Sequence, residues 1–373
     1  MSGVSLLLKN GRVLRAGAKQ PELLDLAIGS NGRIAALAPT ITPSEVEKVI
    51  DLGGQLVVPG LVDAHQHLDK SRTRRLVENP SATLKGASAG YRALAAVATR
   101  EEIMARAERT LDICLAHGTV AIRSHTNIES DTGLRGLESL IELRERCRDR
   151  ITLQVVAHLT TDAPRNLDAS RQWLEQAIAA GADVIGGVPQ NADEPLAFLD
   201  LLFEFAVRSG LPLDMHIDEH LDSGRLLFDA VIERTRAHGT QGRVTAGHCC
   251  ALSAAMPEEA TRVRELLDAG VPVAAASDNI QDPFIPIGSG DLLEIARWTI
   301  VAGHLGLTDL RTAFDMVSAT PAAIIGLGND WGIRSGARAD LLITDADDAD
   351  DLVATGAKNR AVLVGGRLVA GEL

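Results

Sequence analysis

Aromatic residues make up only 3% of the 373-residue sequence, with one Tyr, three Trp and six Phe. A site that covers a planar ligand therefore has few rings to draw on, and Trp298, Phe284 and Trp331 are the candidates. Cysteine is scarce too. Cys114, Cys147, Cys249 and Cys250 fall at no disulfide-framework or CxxC spacing and read as buried free thiols of a reducing compartment, the cytoplasm. No apolar run approaches the roughly 20 residues that cross a bilayer. The opening MSGVSLLLKNGRVLRAG has no basic region ahead of its short apolar run, so it reads as a strand and not as a signal peptide. Positive charge is in deficit, 37 Lys and Arg against 50 Asp and Glu, for a net −13. Neutralising a phosphate backbone needs clustered Lys and Arg, so a nucleic-acid partner is excluded and a small neutral or cationic substrate fits better.

What remains is ordinary globular composition, 46% hydrophobic and 23% charged, enough for one large domain and a small one. Residues 1–58 read as short strands broken by turns, and KNGR and SNGR are hairpin signals because Asn-Gly accepts positive φ. The same texture returns in GIRSGARADLLITDADD and RAVLVGGRLVAGEL, so both ends are expected to build one small β-sandwich, residues 1–58 and 329–373. Between them, residues 59–328 alternate apolar strands with amphipathic helices that mostly stop at Gly. The strands are LVDAH, TVAIRSHTN, ITLQVVAHL, ADVIGGVP, LPLDMHID, RVTAGHCC and VPVAAASDN. Such alternation predicts an α/β fold with a helix-covered parallel sheet, and no glycine-rich phosphate loop follows the first strand to favour a nucleotide-binding one.

Polar residues gather at the C-terminal ends of these strands: His65 and His67, then His125, His216 with Glu219, His248 and Asp278. In a parallel barrel those ends open on one face, where active sites lie. His65 and His67 stand two apart on an extended segment and project the same way, which lets two imidazoles share one ion. Imidazole and carboxylate suit zinc, iron(II) or manganese.

VVPGLVDAHQHLDKS, TVAIRSHTNI, LDMHIDEH, GRVTAGHC and ASDNIQDPFIPIGSGDLLE together resemble the amidohydrolase superfamily, in particular its cytosine deaminase and N-isopropylammelide amidohydrolase branch. The resemblance implies a TIM-like (β/α) barrel with a β domain from both termini, and one divalent metal, Zn or Fe, on His65, His67, His216 and Asp278. It also implies that His248 orients the hydroxide such an ion would supply, that Glu219 shuttles a proton to a ring nitrogen, and that Asp278 helps take the hydroxide's proton. Two-metal relatives place a bridging lysine or carboxylate near strand four. Gly186, Gly187 and Val188 stand there in this sequence, so one ion is expected. His158, Thr160 and Asn279 are expected on the substrate, with Trp298 covering the ring. His125 is open between pocket wall and satisfied core histidine, and Lys70 and Arg72 read as rim residues.

The expected function is release of ammonia or an amine from a cytosine-like pyrimidine, isoguanine-like purine or s-triazine. Cyclic amide hydrolysis and a non-catalytic metal- or ligand-binding relative are the alternatives. Only 30 positions separate His248 from Asp278, room for one helix, about Pro257 to Ala269, and one strand. One βα unit of roughly 30 residues, holding strand seven, is therefore expected to be missing. That would leave seven strands, or an open wall whose edge a second subunit covers in a homo-oligomer, unless residues are omitted from the sequence at that point.

Overall fold

The structure, a computed structural model, describes residues 3–15, 17–42, 46–255 and 266–373. The N-terminal segment supplies β1 (Val4–Val13), β2 (Glu22–Gly29), β3 (Ile34–Ala38), β4 (Val46–Asp51) and β5 (Leu56–Pro59). Asn31-Gly32 does turn β2 into β3, with Gly32 at φ +73°. Asn10-Gly11 does not turn the chain. Asn10 takes the left-handed conformation at φ 55° inside β1, where the register against β2 slips between Leu8 and Gly11. Its amide hydrogen is received by Asp25 at 2.9 Å and its side chain donates to Asp51. Positive φ at Asn serves a bulge as well as a hairpin, and these partners select the bulge.

Six parallel strands follow: β6 (Leu61–Gln66), β7 (Thr119–Ile128), β8 (Thr152–Leu159), β9 (Val184–Gly187), β10 (Leu213–Ile217) and β11 (Val244–His248). They stand side by side in chain order as a nearly closed barrel sheet. The helices between them are α1 (Leu84–Val97), α2 (Arg100–Ala116), α3 (Arg135–Cys147), α4 (Leu167–Ala180), α5 (Pro195–Ser209) and α6 (Phe228–Ala237), and α7 (Ala251–Ala255) follows β11. Gly181 and Gly210 end α4 and α5 in left-handed caps, and His117 and His238 are the C-caps of α2 and α6.

The closing wall departs from expectation. Among the described residues no strand pairs with the far side of β11, and most of the helix expected over Pro257 to Ala269 lies outside them. VPVAAASDN is not a strand. Val62 donates to Val317 and Ala275 to Met316, so the chain at 316–317 takes up the pairing that a strand here would use. Only at its end does the segment reach β6, where Asp278 bridges Gln66 in parallel: Asp278 N donates to His65 O and His67 N to Asp278 O, each at 2.9 Å.

The C-terminal strands β12 (Leu341–Thr344), β13 (Arg360–Val364) and β14 (Arg367–Ala370) join β5 in one eight-stranded sheet ordered β14-β13-β12-β5-β1-β2-β3, with β4 parallel to β1. Strict alternation divides its faces. Leu56, Val58, Leu342, Val362 and Val364 enter the barrel's core, while Val57, Leu341, Ile343, Ala361 and Leu363 enter a second core with Leu8, Leu26 and Ile34.

Candidate active site

Along the barrel strands the polar side chains recur at intervals of two, which in an extended chain is one face: Asp63, His65 and His67; Arg123 and His125; Asp214 and His216. All of them except His65 are at least 95% buried. At the bottom of this column Asp214 accepts from Arg123 Nη1 at 2.8 Å and pairs with His125 Nε2 at 3.0 Å. Burial alone would raise the Asp214 carboxyl, but His125 and Arg123 hold it down at about 2. His125, lowered to about 4 by burial, stacks under His65 with ring centroids 4.0 Å apart. It therefore lies beneath the cluster and not on the cavity wall. Arg123 and Asp214 escape a reading that looks only at strand ends; the signal that finds them is the two-residue offset from a histidine.

Above this floor the ring centroid of His216 lies 4.8 Å from His65, 5.3 Å from His67 and 4.3 Å from His248. Asp278 Oδ1 lies 3.5 Å from His65 Nε2 and 3.4 Å from His67 Nε2. Burial holds His67 well below the usual imidazole range, so it is neutral. Its Nδ1 is 3.0 Å from the carbonyl of His125, which can only accept, so Nδ1 carries the proton and Nε2 turns a lone pair toward a carboxylate. A lone pair and a carboxylate facing at that distance can share a cation. Donors about 2.1 Å from one tetrahedral ion stand about 3.4 Å apart, and the two pairs that Asp278 makes with His65 and His67 have that spacing. His65 Nε2, His216 Nε2 and Asp278 Oδ1 are buried without a hydrogen-bond partner. The donor set fits a divalent metal.

Backbone strain concentrates at the same place. Asp218, His248, Cys249 and Asp278 all have φ between 49° and 65°, a region that non-glycine residues seldom enter without a compensating environment. Asp278 is held by the clamp beside it: Ser277 N donates to Asp63 Oδ1 at 3.2 Å and Ser277 Oγ to Asp63 Oδ2. Asp218 receives the amides of Leu227 and Phe228 and so fixes the entry to α6, a structural duty.

The cluster opens into a cavity of about 590 Å³. His158, Thr160, Glu219, His248, Asn279 and Phe284 line it. Glu219 points one oxygen to within 3.5 Å of His216 Nδ1 and the other to 4.0 Å from His248 Nδ1. His158, neutral through burial, stands 4.1 Å from the His216 ring. Three expectations need correction. Trp298 is 56% exposed on the helix Leu292–Ala302 and does not line the cavity. Trp331 is tied by its indole N–H to Gly60 at the opposite end of β6. Lys70 is not a rim residue: it is 5% exposed, lines the cavity and holds its ammonium 4.2 Å over the Phe284 ring, so Phe284 is the aromatic wall.

The amidohydrolase family model matches residues 48–183 and 252–370. The pterin deaminase of Rhizobium rhizogenes is 30% identical over 91% of this chain and 86% of its own. The N-isopropylammelide isopropyl amidohydrolase of Pseudomonas sp. (strain ADP) is 29% identical over 87% of this chain and 88% of its own. Among solved structures, 5-methylcytosine deaminase from Klebsiella pneumoniae, liganded with phosphonocytosine, matches with a TM-score of 0.89 at 26% identity over 98% of each chain. N-isopropylammelide isopropylaminohydrolase from Burkholderia multivorans matches with a TM-score of 0.84 at 29% identity, covering 99% of this chain and 98% of that one.

Proposed function

The chain belongs to the amidohydrolase family, and from that premise we propose that it is a metal-dependent aminohydrolase that releases ammonia or an amine from a nitrogen heterocycle. Its relatives hydrolyse carbon–nitrogen bonds of heterocycles, and the finer reading rests on one observation. His65 and His67 each bring Nε2 to within 3.5 Å of Asp278 Oδ1, and the His216 ring stands 4.8 Å from that of His65, beside a cavity lined by Glu219 and His248.

One divalent ion on those four residues would supply the electrophile that lowers the pKa of water toward neutrality. The chain's own groups manage protons and orientation. Glu219, between two imidazoles and facing the cavity, is placed to carry a proton to the ring nitrogen beside the carbon under attack. His248 Nε2, buried and unpartnered, is free to hold the attacking water in line, and Asp278 would help take its proton. Phe284 stacks on the ring, while Lys70, His158, Thr160 and Asn279 meet its polar edge. Asn279 Oδ1 and His158 Nδ1 are buried without partners, so a ring that leaves them unpaired binds poorly.

The test is Glu219→Gln, assayed for ammonia release from cytosine-like pyrimidine, isoguanine-like purine, s-triazine and pterin rings. Metal content should stay near one ion per chain while turnover falls about 10²–10⁴-fold. A ring-opened carboxylate product would replace deamination with cyclic amide hydrolysis, and an activity that survives the substitution would come from elsewhere.

A further inference from the structure

The cavity is larger than a single six-membered ring requires, and its two halves differ in charge. The carboxylates that line it, Glu219 and Asp278, are both at the inner end, where the buried Lys70 also stands. The outer half is walled by α1 and by the loops after β8 and β9, which contribute Lys85, Arg92, Arg165, Gln190 and Asn191. Lys85 and Arg92 lie two turns apart on one face of α1, with Ser88 between them. Arg92 is already paired with two carboxylates, Asp131 and Asp162, at 2.6 Å each, and adds no free positive charge. Lys85 and Arg165 have no acidic partner among the described residues. A protein with a net charge of −13 thus turns two unpaired cations and two side-chain amides toward the space where a substituent on the ring would lie. The net charge, which favours a neutral or cationic ligand, does not describe this wall.

We infer that the outer half of the cavity binds a carboxylate carried by the heterocycle, and that Lys85 and Arg165 select it. The inference rests on the aminohydrolase reading and narrows its substrate class to anionic heterocycles. Lys85 and Arg165 are both exposed, and two exposed ion pairs are worth up to about tenfold together.

The experiment uses metal-loaded protein and pyrimidine, triazine and pterin rings, each bare, with one carboxylate and with one aminomethyl group. Dissociation constants come from calorimetry on the Glu219→Gln protein, and kcat/KM from ammonia release by the wild type. The carboxylate form of the accepted ring should bind about tenfold tighter than the bare ring, and the aminomethyl form more weakly than either. The ratio of carboxylate to bare ring should fall toward one in K85Q/R165Q, invert in K85E/R165E and shrink with added salt. Equal binding of the carboxylate and bare forms, or a ratio that neither double variant moves, overturns the inference and leaves the aminohydrolase reading intact. Preferential binding of the carboxylates without ammonia release from any ring overturns that reading instead.

Discussion

Asp214 shows how much of this site depends on residues that never meet a substrate. It is fully buried between Arg123 and His125, and removing its charge leaves a guanidinium with no counter-ion inside a barrel. Asp214→Asn should therefore cost about 3–5 kcal/mol, the usual penalty for breaking one side of a buried pair, read as a lower urea midpoint. Asp282 makes the opposite prediction. Burial pushes its carboxyl up to about 6, against the pull of Lys70 and the amides of Ile285 and Phe284. A folded pKa above the ordinary value means that its contribution to stability is present below about pH 4 and is lost as pH rises through 6. Relative to wild type, Asp282→Asn should gain stability between pH 4 and 7, by about 2–3 kcal/mol at most; a melting difference that stays flat over that range would contradict this. The metal-site residues are legible in sequence because a histidine at the end of an apolar strand is out of place. Lys70 is not, since LDKSR reads like any charged rim and its burial depends on Phe284, more than two hundred residues away.

Among the elements, β9 and α1 carry the most information about what spacing can and cannot reveal. Gly186 in β9 would, with a Cβ, meet the backbone oxygen of Asp214 at 2.4 Å and Val156 Cγ1 at 2.7 Å. A backbone oxygen cannot rotate aside, so Gly186→Ala must push β9 away from β10, whose His216 lies two residues on. The cost should be about 1–3 kcal/mol, accompanied by metal content below that of wild type in the purified protein; full metal loading would show that β10 tolerates the shift. The strand–helix alternation from β6 to β11 is readable because the barrel strands are mostly apolar. α1 is absent from that reading. Its LKGASAGYRALAAV holds two glycines, poor helix formers, needed because a Cβ at Gly86 would strike Ser81 and Asn79, and one at Gly90 would strike Val77. Tertiary packing overrides propensity here, and it does so in the helix that walls the substrate cavity.

At the level of the whole molecule, the two ends of the chain are part of the barrel's stability as well as its cover. Alternate residues of β5, β12 and β13 enter the barrel core and the terminal sheet's own core, so neither core is complete without the same strands. The expectation of a β unit from both termini is met because β5, β12 and β13, the strands that join the two ends, are apolar on both faces, the mark of a sheet covered twice. What sequence could not supply is the join. Arg360 of β13 makes a bidentate pair with Asp291 at 2.9 and 2.8 Å and also donates to His117 O at the end of α2, while Asp291 caps the helix Leu292–Ala302. Both partners are nearly buried, and the two are 69 residues apart in the chain. Arg360→Ala should thus leave a buried carboxylate unpaired and cost about 3–5 kcal/mol. Because the cores share strands, it should lower one unfolding midpoint common to far-ultraviolet dichroism and tryptophan fluorescence. If the terminal sheet were an independent domain, the two signals would separate and the variant would shift only the sheet's transition, leaving the fluorescence of Trp173 in the barrel helix α4 where it was.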